Sequence, residues 1–305
     1  MDCSGNIWPS TAEYLGGFRK KASKLRVPVS GSIDLTHRCN LHCVHCYLGG
    51  RSGEGTAPER ELTTDEWISI LDRITEAGCL YLLVTGGEPL LKKDFAILYS
   101  HAKKNGMLVT VFTNGTMIDD DVLELFSRLP PREVEITLYG ATPETYEHIT
   151  GVKGSYGRCM EGIRRLRDAR INVNLKTVLM TLNRHEFDPM REIAEAFGVR
   201  FRFDAAVFPR FNGDTSPMKL RVSPEEAVEK EASNGELLRQ WVRLYERLKN
   251  MPVSDRLYQC GAGLTAFHID PYGHLRPCLM STSTAYGQDL RSMGFETAWK
   301  VLGPA

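Results

Sequence analysis

Ser32-Ile33-Asp34-Leu35-Thr36-His37-Arg38-Cys39-Asn40-Leu41-His42-Cys43-Val44-His45-Cys46-Tyr47 runs from a short apolar strand into a loop carrying three cysteines at C-x3-C-x2-C spacing. An iron-sulfur cube takes one thiolate per iron. Cys39, Cys43 and Cys46 would therefore hold three irons of a [4Fe-4S] cluster and leave the fourth open to a small molecule. Thiols this close in sequence also suit a zinc loop, and the spacing alone leaves that alternative standing.

A second stretch narrows the choice. The apolar run Tyr81-Leu82-Leu83-Val84-Thr85 leads directly into Gly86-Gly87-Glu88-Pro89. Glycines at the C-terminal end of a strand let backbone approach a ligand closely, and a carboxylate beside exposed carbonyls can receive an ammonium group. Turns use the same residue types, so the motif gains its force from the cysteine loop one strand-helix unit upstream. With both motifs in place, the chain resembles the radical S-adenosylmethionine (SAM) superfamily over roughly residues 30 to 208. The resemblance implies that the open iron chelates the methionine amine and carboxylate of SAM and that Gly86, Gly87, Glu88 and Pro89 meet the amine. It further implies that one electron cleaves SAM to methionine and a 5'-deoxyadenosyl radical.

The 305 residues can bury one large core or a main domain with an appendage, and 42% hydrophobic content is ordinary for a globular protein. Lys and Arg total 38 against 38 Asp and Glu, a balance that gives no nucleic-acid footprint. Arg19, Lys20, Lys21, Lys24 and Arg26 make one local basic stretch, read as a solvated lead-in or as a docking surface for an acidic peptide or an electron donor. No apolar run reaches the roughly 18 residues needed to span a bilayer, and no signal pattern opens the chain, so no membrane association and a cytoplasmic location are expected. Eight cysteines packed partly in close spacing suit a reducing compartment, with Cys79 and Cys159 read as small core residues.

Short apolar runs alternate with amphipathic stretches, the pattern of repeated strand-helix units and a parallel sheet. Strands are expected at 32–35, 80–85, 108–113, 134–138, 173–180 and 200–207. Helix ends are legible in Thr63 with Glu66, which fits a capping box, and in Gly106 and Gly198, where helices should stop. Six units make an α/β fold of the partial (β/α)6 TIM-like type. The expected organisation is a lead-in over 1–26, the barrel over 27–208, a helical bridge over 209–255, and a small hairpin-and-helix module over 256–305.

Ligands gather at the C-terminal ends of parallel strands. The cysteines follow strand one, Gly86 to Pro89 follow strand two, Thr113-Asn114-Gly115 follow strand three and Thr137-Leu138-Tyr139-Gly140 follow strand four. Thr113, Asn114 and Thr137 are therefore expected at the SAM site, Asn114 as a ribose or methionine contact. Relatives often carry a carboxylate after strand four, which is lost here, and an arginine where this chain has Thr150. The SAM carboxylate then needs another cation. Lys176 is the candidate, because a lysine inside an apolar strand is costly to bury without an anionic partner; otherwise it lies on an exposed strand end. His45 holds the position of an aromatic residue that would pack on adenine.

The tail carries Cys260-Gly261-Ala262-Gly263 and then Ile269-Asp270-Pro271-Tyr272-Gly273-His274-Leu275-Arg276-Pro277-Cys278, which reads as a β-hairpin turning at Pro-Tyr-Gly. Cys260, Gly273 and Cys278 resemble the opening of SPASM and twitch domains, which implies an auxiliary iron-sulfur cluster with Cys260 and Cys278 among its ligands. A Cys2His2 zinc site from Cys260, His268, His274 and Cys278 is the competing reading. The resemblance implies a peptide maturase that abstracts hydrogen from a ribosomally made peptide. Its expected partners are that peptide, a separate leader-binding protein and a flavodoxin- or ferredoxin-type electron donor. Tailoring of a tetrapyrrole or other small molecule, or a sulfatase-type maturase acting on a folded protein, are the alternatives within the family. An iron-sulfur electron carrier or scaffold is the alternative outside it, and Glu88 argues against it.

Overall fold

The computed structural model describes residues 11–49, 57–233, 235–250, 260–281 and 286–303. Its strands are β1 (Ser30–Asp34), β2 (Tyr81–Thr85), β3 (Leu108–Thr113), β4 (Glu133–Thr137), β5 (Val173–Val178), β6 (Arg200–Asp204), β7 (Ala266–Ile269), β8 (His274–Arg276) and β9 (Gln288–Asp289). Helices alternate with them: α1 (Thr11–Leu25), α2 (Thr64–Glu76), α3 (Phe95–Lys104), α4 (Asp120–Arg128), α5 (Pro143–Thr150), α6 (Ser155–Asp168), α7 (Phe187–Ala196), α8 (Pro224–Ala232), α9 (Gly235–Leu248) and α10 (Phe295–Leu302).

All strands form one open sheet in the order β6-β5-β4-β3-β2-β1-β7-β8-β9. From β6 to β7 every pairing is parallel, and β8 and β9 add on antiparallel. The six expected strand-helix units are present as an open α/β sheet of the partial TIM-barrel type. The tail hairpin does more than append: β7 lies beside β1 on the side away from β2, with Ser30 opposite Ala266 and Ile33 opposite Ile269. Phe267 packs against Phe295 and Trp299, so tail and barrel share one apolar core.

The two-residue period of the strands sorts their side chains cleanly. Ile33, Leu82, Val84, Val111, Ile136 and Leu175 are buried against the helices, together with Trp67 and Leu71 of α2, Tyr99 of α3 and Phe126 of α4. The alternate positions, including Ser32, Asp34, Thr110, Phe112, Glu135, Lys176 and Arg202, face the concave side.

Local sequence sets the ends. Thr63 caps α2, and Glu66 returns the bond to the Thr63 backbone, as the pattern predicts. Ser223 and Glu226 do the same for α8, with Pro224 at its first position. Strands five and six stop short of expectation. The chain leaves β5 to pair Met180 with Arg221 instead, and the Asp204 side chain accepts from Ala206 N at 2.8 Å, turning the backbone away. Cys79 and Cys159 lie in the core. The boundary expected at 255/256 falls outside the described residues. Among those described, no helix is long and apolar enough to cross a membrane.

Candidate functional site

The cysteine loop has little regular structure, so its shape must come from neighbours. His42 N donates to Thr150 O at 2.8 Å and Val44 N to Ile149 O at 2.9 Å, which lays the loop along the end of α5. From the other side Phe211 N donates to Tyr47 O at 2.8 Å, and the Phe211 ring sits 5.1 Å from that of Tyr47. The segment after β6 thereby closes over the third cysteine.

The glycines of Gly86-Gly87-Glu88-Pro89 serve this loop first. A Cβ on Gly87 would fall 2.2 Å from Arg38 O, and one on Gly86, whose φ is +131°, would fall 2.3 Å from Thr36 O. Such contacts are impossible, so only glycine lets the two backbones touch. Gly87 N donates to Thr36 O and Glu88 N to Arg38 O, tying the loop after β2 to the residues just before Cys39.

Glu88 is fully buried. Its Oε1 accepts from Leu90 N at 3.1 Å and Thr113 Oγ1 at 2.8 Å, and its Oε2 accepts from Asn114 N at 2.8 Å. The carboxylate joins the loops after β2 and β3. Burial outweighs these donors and pushes its pKa from 4.5 up to about 7. Pro89 starts the short turn behind it. Thr113 also accepts from Gly115 N. Asn114 donates to Asn40 Oδ1 at 2.7 Å and reaches Cys39 Sγ at 3.9 Å, so it braces the first thiol.

Burial raises the pKa of all three cysteines, Cys39 to about 11, with the neighbouring thiols adding to the effect on Cys43. Three desolvated thiols held close together are a donor set that a cationic centre would stabilise as thiolates. Among the described residues, no three His, Cys, Asp or Glu side chains converge on one point as a single ion requires. Zinc needs such convergence, whereas a cube spreads its thiolates over separate corners. A cube takes one thiolate per corner, which three cysteines on one loop can supply. In the tail, His268 is buried against Ser32 Oγ at 2.9 Å and His274 pairs with Asp270 at 3.0 Å, while Cys260 and Cys278 are exposed.

His45 sits edge-on to Tyr139 at 4.9 Å, and burial lowers its pKa to about 4, so the ring is neutral. The Tyr139 side chain is hydrogen-bonded to the Cys43 thiol. Thr137 ends β4 opposite Lys176. Lys176 itself reaches the concave face, but its anion is Glu135, at 3.5 Å, and its ammonium lies 3.0 Å over the Phe112 ring. The need that pointed this lysine at a ligand is met within the sheet.

Several rim residues carry no motif and escaped the sequence reading. Glu186 accepts from Ala141 N, Thr142 N, Thr142 Oγ1 and Thr145 Oγ1, and Asn183 donates to Tyr139 O. Together they fasten the loop after β4 to the turn after β5. Arg210 donates to Val44 O at 3.4 Å across the cysteine loop. Their only sequence signal is polarity just past a strand's end.

The family model of the radical SAM superfamily matches residues 33–197. The chain belongs to that superfamily. Among solved structures, this radical SAM chain is similar in fold to Streptococcus suis SuiB, with a TM-score of 0.70 at 18% identity over 97% of this chain and 73% of that one. An AdoMet-dependent heme synthase of Methanosarcina barkeri is 30% identical over 60% of this chain and 52% of its own length. Mycofactocin maturase MftC of Mycobacterium tuberculosis is 27% identical over 90% of this chain and 71% of its own length. The chain thus spans about half the length of the first of these curated relatives.

Proposed function

We propose that this radical SAM protein is a peptide maturase of the SPASM/twitch type. It would abstract hydrogen from a ribosomally made peptide to install a crosslink, a thioether or an epimerised centre. The observation that carries this reading is that the likeness to the maturase MftC extends over 90% of the chain, and so into the tail hairpin that joins β1. The likeness to the heme synthase covers 60% and supports tetrapyrrole tailoring as the second reading.

Cys39, Cys43 and Cys46 would hold the cluster, and when bound it supplies the electron that cleaves SAM. Asn114 and Tyr139 set the thiols Cys39 and Cys43, and Thr137 and His45 line the remaining rim. Cys260 and Cys278 are the candidate ligands of an auxiliary cluster, tested by iron content in Cys260→Ala and Cys278→Ala. The electron donor would be of the flavodoxin or ferredoxin type, leader recognition would fall to a separate protein, and the setting would be cytoplasmic.

Mass spectrometry decides between the readings. The reconstituted protein is incubated anaerobically with SAM, a reductant and either the short peptide encoded beside its gene or iron-coproporphyrin. A loss of two hydrogens in the peptide, or a gain of one mass unit per epimerised centre when the reaction is run in D2O, supports the maturase; a changed porphyrin mass with an intact peptide supports the alternative.

A further inference from the structure

The superfamily's chemistry brings an amino-acid carboxylate to this mouth, and a buried carboxylate requires a cationic or hydrogen-bonding partner. Lys176 is engaged by Glu135. Arg38 is held by Thr36 and Glu61, and Lys92 by Glu61 and Leu62 O. Arg210 is ion-paired too, to Asp214, but of these four it alone keeps a buried donor with no acceptor. One terminal nitrogen binds Asp214 Oδ2 at 2.9 Å and the other reaches Val44 O, within the cysteine loop. Its Nε is buried and has no acceptor.

A guanidinium is planar and always charged, and offers its donors as a fork matched to carboxylate geometry. Asp214 fixes one end of that fork from the solvent side, since it also accepts from Ser216 N and Oγ. Phe211, the next residue, is anchored on Tyr47, beside Cys46. The side chain is thus clamped from both ends over the third cysteine with one donor unmet.

We propose that Arg210 receives the carboxylate of SAM, the role left open by Thr150 and by the pairing of Lys176 with Glu135. This rests on the reading of the mouth as a SAM site. It assigns a binding role to a residue outside every motif, delivered by the loop after β6.

The test compares two ligands on the anaerobically reconstituted protein: SAM and decarboxylated SAM, which keeps the sulfonium, adenosine and amine. Equilibrium dialysis gives both affinities. Arg210→Gln should weaken SAM roughly tenfold or more, the loss expected for one charge-assisted contact, and leave the decarboxylated ligand unchanged. Equal weakening of both ligands, or unchanged SAM affinity with the cluster intact, overturns the assignment. If Arg210→Gln does not hold its cluster, Arg210→Lys replaces it. That variant keeps the charge but loses the fork, so a smaller loss confined to SAM is expected, and an equal loss for both ligands again overturns it. Failure of the wild-type protein to bind either ligand would instead remove the reading of the mouth itself.

Discussion

Glu88→Gln isolates the most heavily buried charge of the site, and its effect on the cluster-free protein can be worked from the contacts. The isosteric amide keeps an acceptor for Leu90 N and Thr113 Oγ1 but sets its NH2 against Asn114 N, where Oε2 now accepts. A buried N–H left without a partner costs about 1–3 kcal/mol. The carboxyl has the opposite liability. Its pKa rises on folding from 4.5 to about 7, so the folded state binds a proton the unfolded state has released. The stability this contributes is full below 4.5 and is lost as pH rises through about 7. At about 1.4 kcal/mol per unit, the loss between pH ~5 and pH ~8 is on the order of 2–3 kcal/mol for wild type and absent in the amide. Glu88→Gln should therefore be less stable than wild type at the acid end, and the gap should close toward the alkaline end. Urea unfolding of both apoproteins under reductant measures this, because all other titrations cancel in the difference. A gap that widens as pH rises would show that the carboxylate is stabilised in its charged form, and a gap independent of pH that its pKa is unchanged on folding; either refutes the account.

Gly87→Ala should lower stability by about 1–3 kcal/mol and reduce iron loading, because the new methyl group would meet Arg38 O at 2.2 Å; melting and iron assay check both. Lys176→Met should leave SAM affinity unchanged in equilibrium dialysis and alter stability little in urea unfolding, since burial already lowers the Lys176 pKa to about 7 and Arg202 still pairs with Glu135. Glu186→Gln should show the reverse of the Glu88 trend. Although burial opposes it, hydrogen bonds from Thr142, Thr145 and Ala141 hold the Glu186 pKa below the usual range, so its contribution is present above that range and lost as pH falls. Unfolding in acid and at neutrality should therefore show the variant's deficit shrinking in acid.

The strands and the rim were legible because they follow from local patterns: apolar runs of strand length, the capping box at Thr63, and motifs placed at strand ends. The roles of individual side chains were less so. Gly86 and Gly87 show a glycine's freedom in the sequence but not which chain segment comes near; the backbone of Thr36 and Arg38 does, and no spacing marks it. Lys176 read as unpaired because its partner, Glu135, stands on the neighbouring strand at a separation only the sheet register fixes. Arg210 and Glu186 act across loops that the fold brings together from distant sequence, with no spacing to mark them. The tail hairpin at Pro271-Tyr272-Gly273 was visible, yet its parallel docking on β1 depends on an edge left open by the barrel.

The central claim is that Cys39, Cys43 and Cys46 hold a cluster whose open iron serves SAM. Its most direct measurement is 5'-deoxyadenosine formed anaerobically from SAM and dithionite by the reconstituted protein and by each single cysteine-to-alanine variant. Wild type should show the broad iron-sulfur absorbance and produce 5'-deoxyadenosine, and each variant should lose its product because a cube with two protein thiolates is not held with one iron open. Product formation near the wild-type rate by Cys39→Ala, Cys43→Ala or Cys46→Ala would contradict it.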